Sequence, residues 1–64
     1  MVSEQPTRKV QRELRDAGWT PIRTVGSHTT WQSPDGRKVT VPDGHRTISA
    51  GVYRQILKAM KEDR

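Results

Sequence analysis

The sequence predicts an α+β domain in the order α-β-β-β-α, with two helices packed on one face of a three-stranded antiparallel sheet. Two observations lead to this fold class. Apolar residues recur at helical spacing near both ends of the chain, whereas the segment 19–41 between them has strand-like alternation. Within that segment, Ser33-Pro34-Asp35-Gly36 places proline and aspartate at the central positions of a type I turn, and glycine at the left-handed position that follows.

The first helix is predicted to begin at Thr7, a residue type that can cap a helix N-terminus. Three apolar residues then follow at positions i, i+4 and i+7 and form a single stripe: Val10, Leu14 and Ala17. Gly18 supplies the left-handed residue that commonly ends a helix. Residues 1–6 are polar and lack periodicity, so they are predicted to be a disordered tail, and residues 7–64 a single domain.

The strands are predicted over 19–25, 27–32 and 37–41. Pro21 cannot donate a ladder hydrogen bond, which favours an edge position for the first strand. Ser49 can cap the second helix. The apolar face of that helix is formed by five residues at helical spacing: Val52, Tyr53, Ile56, Leu57 and Met60.

The turn between the last two strands sets their register. If Ser33 pairs with Arg37, then Trp31 faces Val39, on a face suited to being covered by helices. The other face then carries polar side chains: His28, Thr30, Gln32, Lys38 and Thr40. A shift of one residue would mix the two faces, so the first register is favoured.

Composition restricts the classes of partner. The 64 residues include 12 Lys and Arg against 7 Asp and Glu, a formal net charge of +5, and this excess raises the local concentration of anionic partners. Nucleic acid is the first candidate, an acidic protein the second and a membrane surface the third. No apolar run is long enough for a transmembrane span or a signal peptide, so no membrane partner is expected.

The absence of cysteine excludes disulfides, thiolate nucleophiles and cysteine-bound zinc, and it fits a reducing cytoplasm, where the protein is predicted to reside. A domain of about 60 residues buries only ~60% of its unfolded surface. The active site is therefore expected on an open surface, and no cofactor is expected.

Gly26-Ser27-His28 is the strongest candidate for a catalytic site. It places an imidazole at the beginning of a strand, beside two small residues that let a ligand approach the backbone. Histidine ordinarily titrates near pH ~6.5, so it can accept and donate a proton near neutrality. Backbone N–H groups at Gly26 and Ser27 are candidate donors to a phosphate oxygen. The alternative is a surface histidine without a role.

His45 is the candidate for a second acid or base. Two histidines can serve as base and acid when the 2′-hydroxyl of RNA attacks the neighbouring phosphodiester. A solvated loop histidine is an equally good interpretation of His45. Two histidines without a third suitable ligand make a poor metal site, so no metal is predicted. Four basic residues are candidates for holding phosphates, or else are solvated surface charges: Arg37, Lys38, Arg46 and Arg54.

The chain resembles the HicA-type toxins of bacterial toxin–antitoxin modules over most of residues 7–60. The motifs that carry the resemblance are Gly26-Ser27-His28, Trp31, Pro34-Asp35-Gly36-Arg37, Val39-Thr40-Val41-Pro42 and Gly51-Val52-Tyr53-Arg54-Gln55-Ile56-Leu57. The resemblance implies a fold similar to a double-stranded-RNA-binding domain. It also implies an endoribonuclease that cleaves messenger RNA, a HicB-like antitoxin as partner, and His28 as the catalytic residue. The family often has another histidine after the Val-Pro of the third strand, where this chain has His45.

Three functions follow as hypotheses. The first is a metal-independent endoribonuclease toxin in which His28 is the general acid or base, Gly26 and Ser27 position the phosphate, and basic residues hold the RNA. The second is a non-catalytic RNA-binding module that uses the same basic surface and whose affinity falls steeply with salt. The third is an interaction protein whose cationic surface docks an acidic partner.

Overall fold

Seven short elements make up the described part of the chain, residues 3–61 of the computed structural model. In chain order they are β1 (Gln5–Pro6), α1 (Thr7–Asp16), β2 (Thr20–Val25), β3 (His28–Gln32), β4 (Lys38–Val41), β5 (Thr47–Ile48) and α2 (Ala50–Lys61). The three central strands form one antiparallel sheet in the order β2-β3-β4, which confirms the predicted α-β-β-β-α arrangement. Within residues 3–61 there is no helix with the length and apolar character needed to cross a membrane.

The predicted register of β3 and β4 is confirmed. Trp31 pairs with Val39 and Thr30 with Thr40. The turn between these strands closes through the Ser33 N–H, which donates to the Arg37 carbonyl at 2.8 Å. Gly36 adopts a φ of 95°, the left-handed conformation for which glycine is suited. Turn chemistry and alternation both demand this register, so one face of the sheet becomes apolar and the other polar.

Both helices pack against the apolar face. The side chains that form the core are Val10, Leu14, Trp19, Trp31, Val41, Ile48, Tyr53 and Ile56. Trp31 is almost completely buried in this cluster, as predicted from its position opposite Val39. The two helices are also joined at their polar edges, where the Tyr53 hydroxyl donates to Oε1 of Glu13 at 2.9 Å. The opposite face of the sheet is left uncovered by the helices.

The end of α1 is a Schellman motif. The Trp19 N–H donates to the Leu14 carbonyl and the Gly18 N–H to the Arg15 carbonyl, both at 2.9 Å. Gly18 has a φ of 89°, so the prediction that it ends the helix is confirmed. Ala17 departs from its predicted place in the apolar stripe and is exposed, because the chain leaves the helix at this residue.

Thr7 does not cap α1, contrary to the prediction. Pro6 occupies the N-cap position and makes no side-chain capping bond, and Thr7 is the first helical residue. Its hydroxyl donates instead to the His45 carbonyl at 2.6 Å, and its N–H to the Arg46 carbonyl at 2.9 Å. Thr7 is drawn into these bonds because β1 pairs with β5, which brings the loop before β5 against the start of α1. The prediction for the second helix is confirmed, since the Ser49 hydroxyl accepts from the Val52 N–H at 3.4 Å.

The ribbon of β1 and β5 was not predicted. Gln5 pairs with Ile48 and Pro6 with Thr47, so two residues of the predicted tail form a strand. A two-residue strand whose partner lies about 40 positions away leaves no periodic signal in the sequence. The first two residues of the predicted tail lie outside the described part of the chain.

β2 is an edge strand, as Pro21 indicated, and it carries a β-bulge between Pro21 and Arg23. Pro21 pairs with Trp31, but Arg23 pairs with Thr30, so Ile22 is the additional residue. Because side chains alternate along a strand, the inserted residue turns Arg23 to the polar face and leaves Ile22 about half exposed.

Candidate active site on the open face of the sheet

His28 is the first residue of β3, and its side chain is exposed on the uncovered face. It pairs with Val25 across the β2–β3 hairpin. Its position two residues before Thr30 places it beside the row formed by Arg23, Thr30 and Thr40, which pair across all three strands. Lys38, which pairs with Gln32, is exposed on the same face. The face therefore combines one imidazole with cationic side chains on both of the neighbouring strands.

A tight turn places His28 at the end of the sheet. Gly26 and Ser27 form a two-residue loop between the paired Val25 and His28. Gly26 has a φ of 59°, which a two-residue hairpin turn requires at its first central position. Gly26 is exposed, and nothing lies within 4 Å of where a Cβ would stand, so the backbone here is open to a ligand.

The loop between β4 and β5 is pressed against this turn. The Gly44 N–H donates to the Ser27 carbonyl at 2.9 Å. A Cβ on Gly44 would lie 2.2 Å from Cβ and 2.8 Å from Cα of Ser27, so only glycine fits this approach. Ser27 is accordingly half-buried. The contact links the segment that carries His28 directly to the segment that carries His45.

His45 and Arg46 lie in the β4–β5 loop, and both side chains are exposed. Their carbonyls are held by Thr7, so the loop is tied to α1 as well as to the Gly26–Ser27 turn. The two residues line an open groove of about 420 Å³ whose remaining walls are Thr7, Arg8, Gln11 and Asp43. His28 does not line this groove. The two histidines thus occupy adjoining segments, with His45 on the groove and His28 on the open face.

The guanidinium of Arg37 is engaged in contacts within the fold. Its Nη1 donates to the Ala59 carbonyl at 2.5 Å, and its Nε donates to Oδ1 of Asp35 at 3.0 Å. The guanidinium also lies 5.5 Å from the centroid of the Trp19 ring. These contacts join the β3–β4 turn to the C-terminal part of α2. Arg54 is exposed on α2, in the layer that covers the opposite face of the sheet from His28.

The hydrogen bonds of the β3–β4 turn lower the pKa of Asp35. The Ser33 hydroxyl donates to its carboxylate, and Arg37 donates to the same oxygen. These bonds stabilise the ionised form and lower the pKa of Asp35 from 3.8 to about 2. The Asp35 carboxylate therefore belongs to the hydrogen-bonding of the β3–β4 hairpin and is not part of the His28 site.

The tryptophans are unavailable for base stacking. Trp19 and Trp31 are almost completely buried, and Arg15 lies 5.4 Å from the Trp31 ring centroid. The prediction that Trp31 serves the core is therefore confirmed. In the described part of the chain, contacts to bases on the open face must come from other side chains.

Two cationic residues of this region were missed by sequence reasoning. Arg23 reaches the open face only because of the β2 bulge, and the signal for it was Pro21, since prolines inside sheets occur at edges and bulges. Arg8 lines the groove with Arg46 only because the β4–β5 loop docks on α1. No local pattern in the sequence announces that long-range contact.

A known family model matches most of the chain. The family model described as the HicA toxin of bacterial toxin–antitoxin systems matches residues 7–61, which is most of the chain. No curated protein and no solved structure matches the chain, so the likeness to a double-stranded-RNA-binding domain stays a prediction. The matched range includes both helices, all three strands of the sheet and the Gly26–Ser27–His28 turn. The chain therefore belongs to the HicA family, the toxins of bacterial toxin–antitoxin systems.

Proposed function

We propose that this toxin is an endoribonuclease that cleaves messenger RNA in the cytoplasm, with His28 as its general acid or base. The observation that carries the proposal is the position of His28. The imidazole is exposed at the end of an uncovered polar face, next to a turn whose backbone is open. Membership of a toxin family supplies the biological context.

The proposed reaction uses the substrate's own 2′-hydroxyl. His28 takes the proton of that hydroxyl, and the 2′-oxygen attacks the adjacent phosphorus. The P–O2′ bond forms as the P–O5′ bond breaks, which leaves a 2′,3′-cyclic phosphate on one product. The departing 5′-oxygen takes a proton from a second acid, either His45 or water, and becomes a hydroxyl. This chemistry suits RNA alone, because DNA has no 2′-hydroxyl.

The surroundings of His28 fit an anionic substrate. Arg23 and Lys38 project from the same face and are exposed, so they can meet phosphates of an extended strand. N–H groups of the Gly26–Ser27 turn are the proposed donors to the phosphate oxygens, as predicted from the sequence. Arg37 is proposed to support the fold through its contacts with Trp19 and Ala59. Arg54 is proposed to make no contact with RNA bound on this face, because it lies on α2.

A HicB-like antitoxin is the proposed protein partner, since the family consists of toxins of two-component modules. Neutralisation requires that the partner block the His28 face or distort the Gly26–Ser27 turn. The partner is expected to present acidic groups to Arg23 and Lys38, because the chain has a formal net charge of +5.

The test compares His28→Ala with His45→Ala. Purified proteins are incubated with single-stranded RNA in the presence of EDTA, and product ends are analysed for a 2′,3′-cyclic phosphate. We expect His28→Ala to lose about 10²-fold or more of the cleavage rate, and induction of its gene to leave growth unaffected. Cleavage by the wild type should persist in EDTA. A folded His28→Ala protein that cleaves RNA and arrests growth like the wild type would overturn the proposal.

His45→Ala tests the second exposed imidazole, which also lines the groove beside α1. A fall in kcat as large as that of His28→Ala with KM unchanged identifies His45 as the second acid, whereas a rise in KM alone assigns His45 to RNA binding and that proton to water. RNA binding by the wild type without any turnover would instead support a non-catalytic RNA-binding module.

A further inference from the structure

We infer that the groove at the beginning of α1 is a nucleotide subsite, which holds a nucleotide of the RNA beyond the two that flank the bond cleaved at His28. The groove is defined by its lining residues, Thr7, Arg8, Gln11, Asp43, His45 and Arg46. The inference rests on the proposed function for its substrate. It adds a second region of contact, formed by α1 and the β4–β5 loop, outside the strands of the open face.

The size of the groove suits one nucleotide. Its volume of about 420 Å³ lies at the lower end of the ~300–1,000 Å³ range of pockets for small ligands. It is open to solvent, as a site for one unit of a longer chain must be. Its walls come from α1 and the β4–β5 loop, and Thr7 holds these two segments together through the carbonyls of His45 and Arg46.

The charged residues of the groove can bind both the phosphate and the polar groups of a nucleotide. Arg8 and Arg46 are exposed, and neither takes part in an ion pair within residues 3–61. They can therefore donate to a phosphate, and guanidinium groups suit phosphates because they donate through two parallel N–H bonds. The one carboxylate, Asp43, accepts a hydrogen bond at Oδ2 from Nε2 of Gln11 at 3.3 Å. Its other oxygen can accept from a ribose hydroxyl or a base amino group.

The start of α1 strengthens the attraction for an anion. The first turn of the helix contains no acidic residue, and no side chain caps its N-terminus. The positive end of the helix dipole is therefore not neutralised by the helix itself. The helix dipole therefore adds to the attraction that Arg8 and Arg46 exert on an anion in the groove.

The groove is linked to the proposed active site through Gly44. Gly44 lies between Asp43 and His45 of the groove, and its N–H is bonded to Ser27 beside His28. The junction exposes two glycines, Gly26 and Gly44, and therefore presents backbone without side chains. An RNA strand can cross this junction closely, with the scissile phosphate near His28 and a nucleotide beyond the two flanking ones in the groove.

The experiment combines two variants with two lengths of substrate. Arg8→Gln/Arg46→Gln removes the groove cations, and Lys58→Gln/Lys61→Gln removes the same charge from the exposed end of α2 as a control. Each protein is assayed for cleavage of a 12-nucleotide single-stranded RNA and of a dinucleotide. The dinucleotide fills only the positions on either side of the scissile bond. Circular dichroism and thermal unfolding confirm that each variant is folded.

We expect the groove variant to have kcat/KM on the 12-nucleotide RNA lowered about 10-fold or more, since hydrogen bonds to charged groups are among the stronger ones. Its kcat/KM on the dinucleotide should stay within about two-fold of that of the wild type. The control variant should change both substrates alike and only slightly. Equal losses of the groove and control variants on the long RNA, or equal losses of the groove variant on both substrates, would overturn the inference.

A binding measurement separates this inference from the proposed function. In a His28→Ala background, fluorescence anisotropy reports the affinity for the 12-nucleotide RNA over a range of salt concentrations. Losing the groove contacts should reduce the slope of log K against log salt by about 0.7 for each phosphate released. If the wild type does not cleave RNA, the proposed function fails. Weaker and less salt-dependent RNA binding by the groove variant would still support the groove as an RNA-binding subsite. An unchanged affinity and slope would exclude it.

Discussion

At the scale of single residues, Gly44 has the tightest surroundings of the five glycines. Its position between the β4–β5 loop and the Gly26–Ser27 turn leaves no room for a side chain, because an added Cβ would meet backbone as well as side-chain atoms of Ser27. Asp43-Gly44 indicates a turn in the sequence. Nothing in the sequence indicates that this turn contacts Ser27, which lies 17 positions earlier.

Replacing Gly44 with alanine is expected to lower the free energy of unfolding by about 1–3 kcal/mol, the usual range for overpacking a close contact. It should also lower RNA cleavage measured on the folded protein, since the turn that carries His28 must shift. Urea unfolding and cleavage assays measure the two effects.

Gly51→Ala is the matched control for Gly44→Ala. Gly51 lies in the first turn of α2, is exposed, and has open space where a Cβ would stand. Because alanine is favoured over glycine in helices, this variant should be more stable than the wild type by up to about 1 kcal/mol. A Gly44→Ala protein with unchanged stability and activity would show that the loop moves away freely.

At the scale of elements, the predictions succeeded where two local signals agreed. For β3 and β4, the turn residues and the alternation of Trp31, Val39 and Val41 require the same register, and that register is observed. The predicted ends of α1 and α2 at Gly18 and Ser49 are likewise local hydrogen-bonding patterns.

The predictions failed where an element depends on distant partners. The β2 bulge exchanges the faces of Ile22 and Arg23, and alternation alone cannot place an inserted residue. The β1–β5 ribbon and the groove arise from contacts between residues 5–11 and residues 43–48, which are far apart in the sequence. The sequence therefore predicted His28, which lies on a regular strand, but not the surrounding cations Arg23 and Arg8.

The β3–β4 hairpin predicts a particular pH dependence of stability. The pKa of Asp35 is lowered from 3.8 to about 2 by the Ser33 hydroxyl and then by Arg37. A lowered pKa in the folded state means that the charged carboxylate stabilises the fold above about pH 4. This contribution is lost as the pH falls toward 2, where the folded state also takes up the proton.

Asp35→Asn removes this contribution, so the variant should be less stable than the wild type at pH 7, and the difference should shrink between about pH 4 and pH 2. Urea unfolding at several pH values measures the difference directly. Asp16→Asn, at the C-terminal end of α1, is the control and should not reduce stability, since a negative charge there opposes the helix dipole. A difference between Asp35→Asn and wild type that is constant over the whole pH range would contradict the role assigned to the charge.

At the scale of the whole molecule, the fold divides its tasks between two faces. One face of the sheet is covered by the helices and packs with them into the apolar core, while the other stays polar and carries His28. A chain of 64 residues is expected to have a free energy of unfolding of only about 3–10 kcal/mol. Each core contact is therefore a large share of the stability that keeps the open face in place.

Two isoleucines test this division. Ile56 is 1% exposed within the core, and Ile22 is 47% exposed at the β2 bulge. Ile56→Ala should lower the free energy of unfolding by about 2–5 kcal/mol through lost burial and the cavity left behind, enough to unfold much of the protein. Ile22→Ala, the same change in chemistry, should stay within about 1 kcal/mol of the wild type.

Urea unfolding and RNA cleavage are measured on both isoleucine variants at low and at moderate temperature. If the helical layer serves only to hold the open face, the activity of Ile56→Ala should fall in proportion to its unfolded fraction and recover on cooling to about 10–20 °C, where domains are usually most stable. Ile22→Ala should remain active throughout. An Ile56→Ala protein that is folded but inactive would instead mean that the core transmits strain to the His28 turn, and that the two faces are not independent.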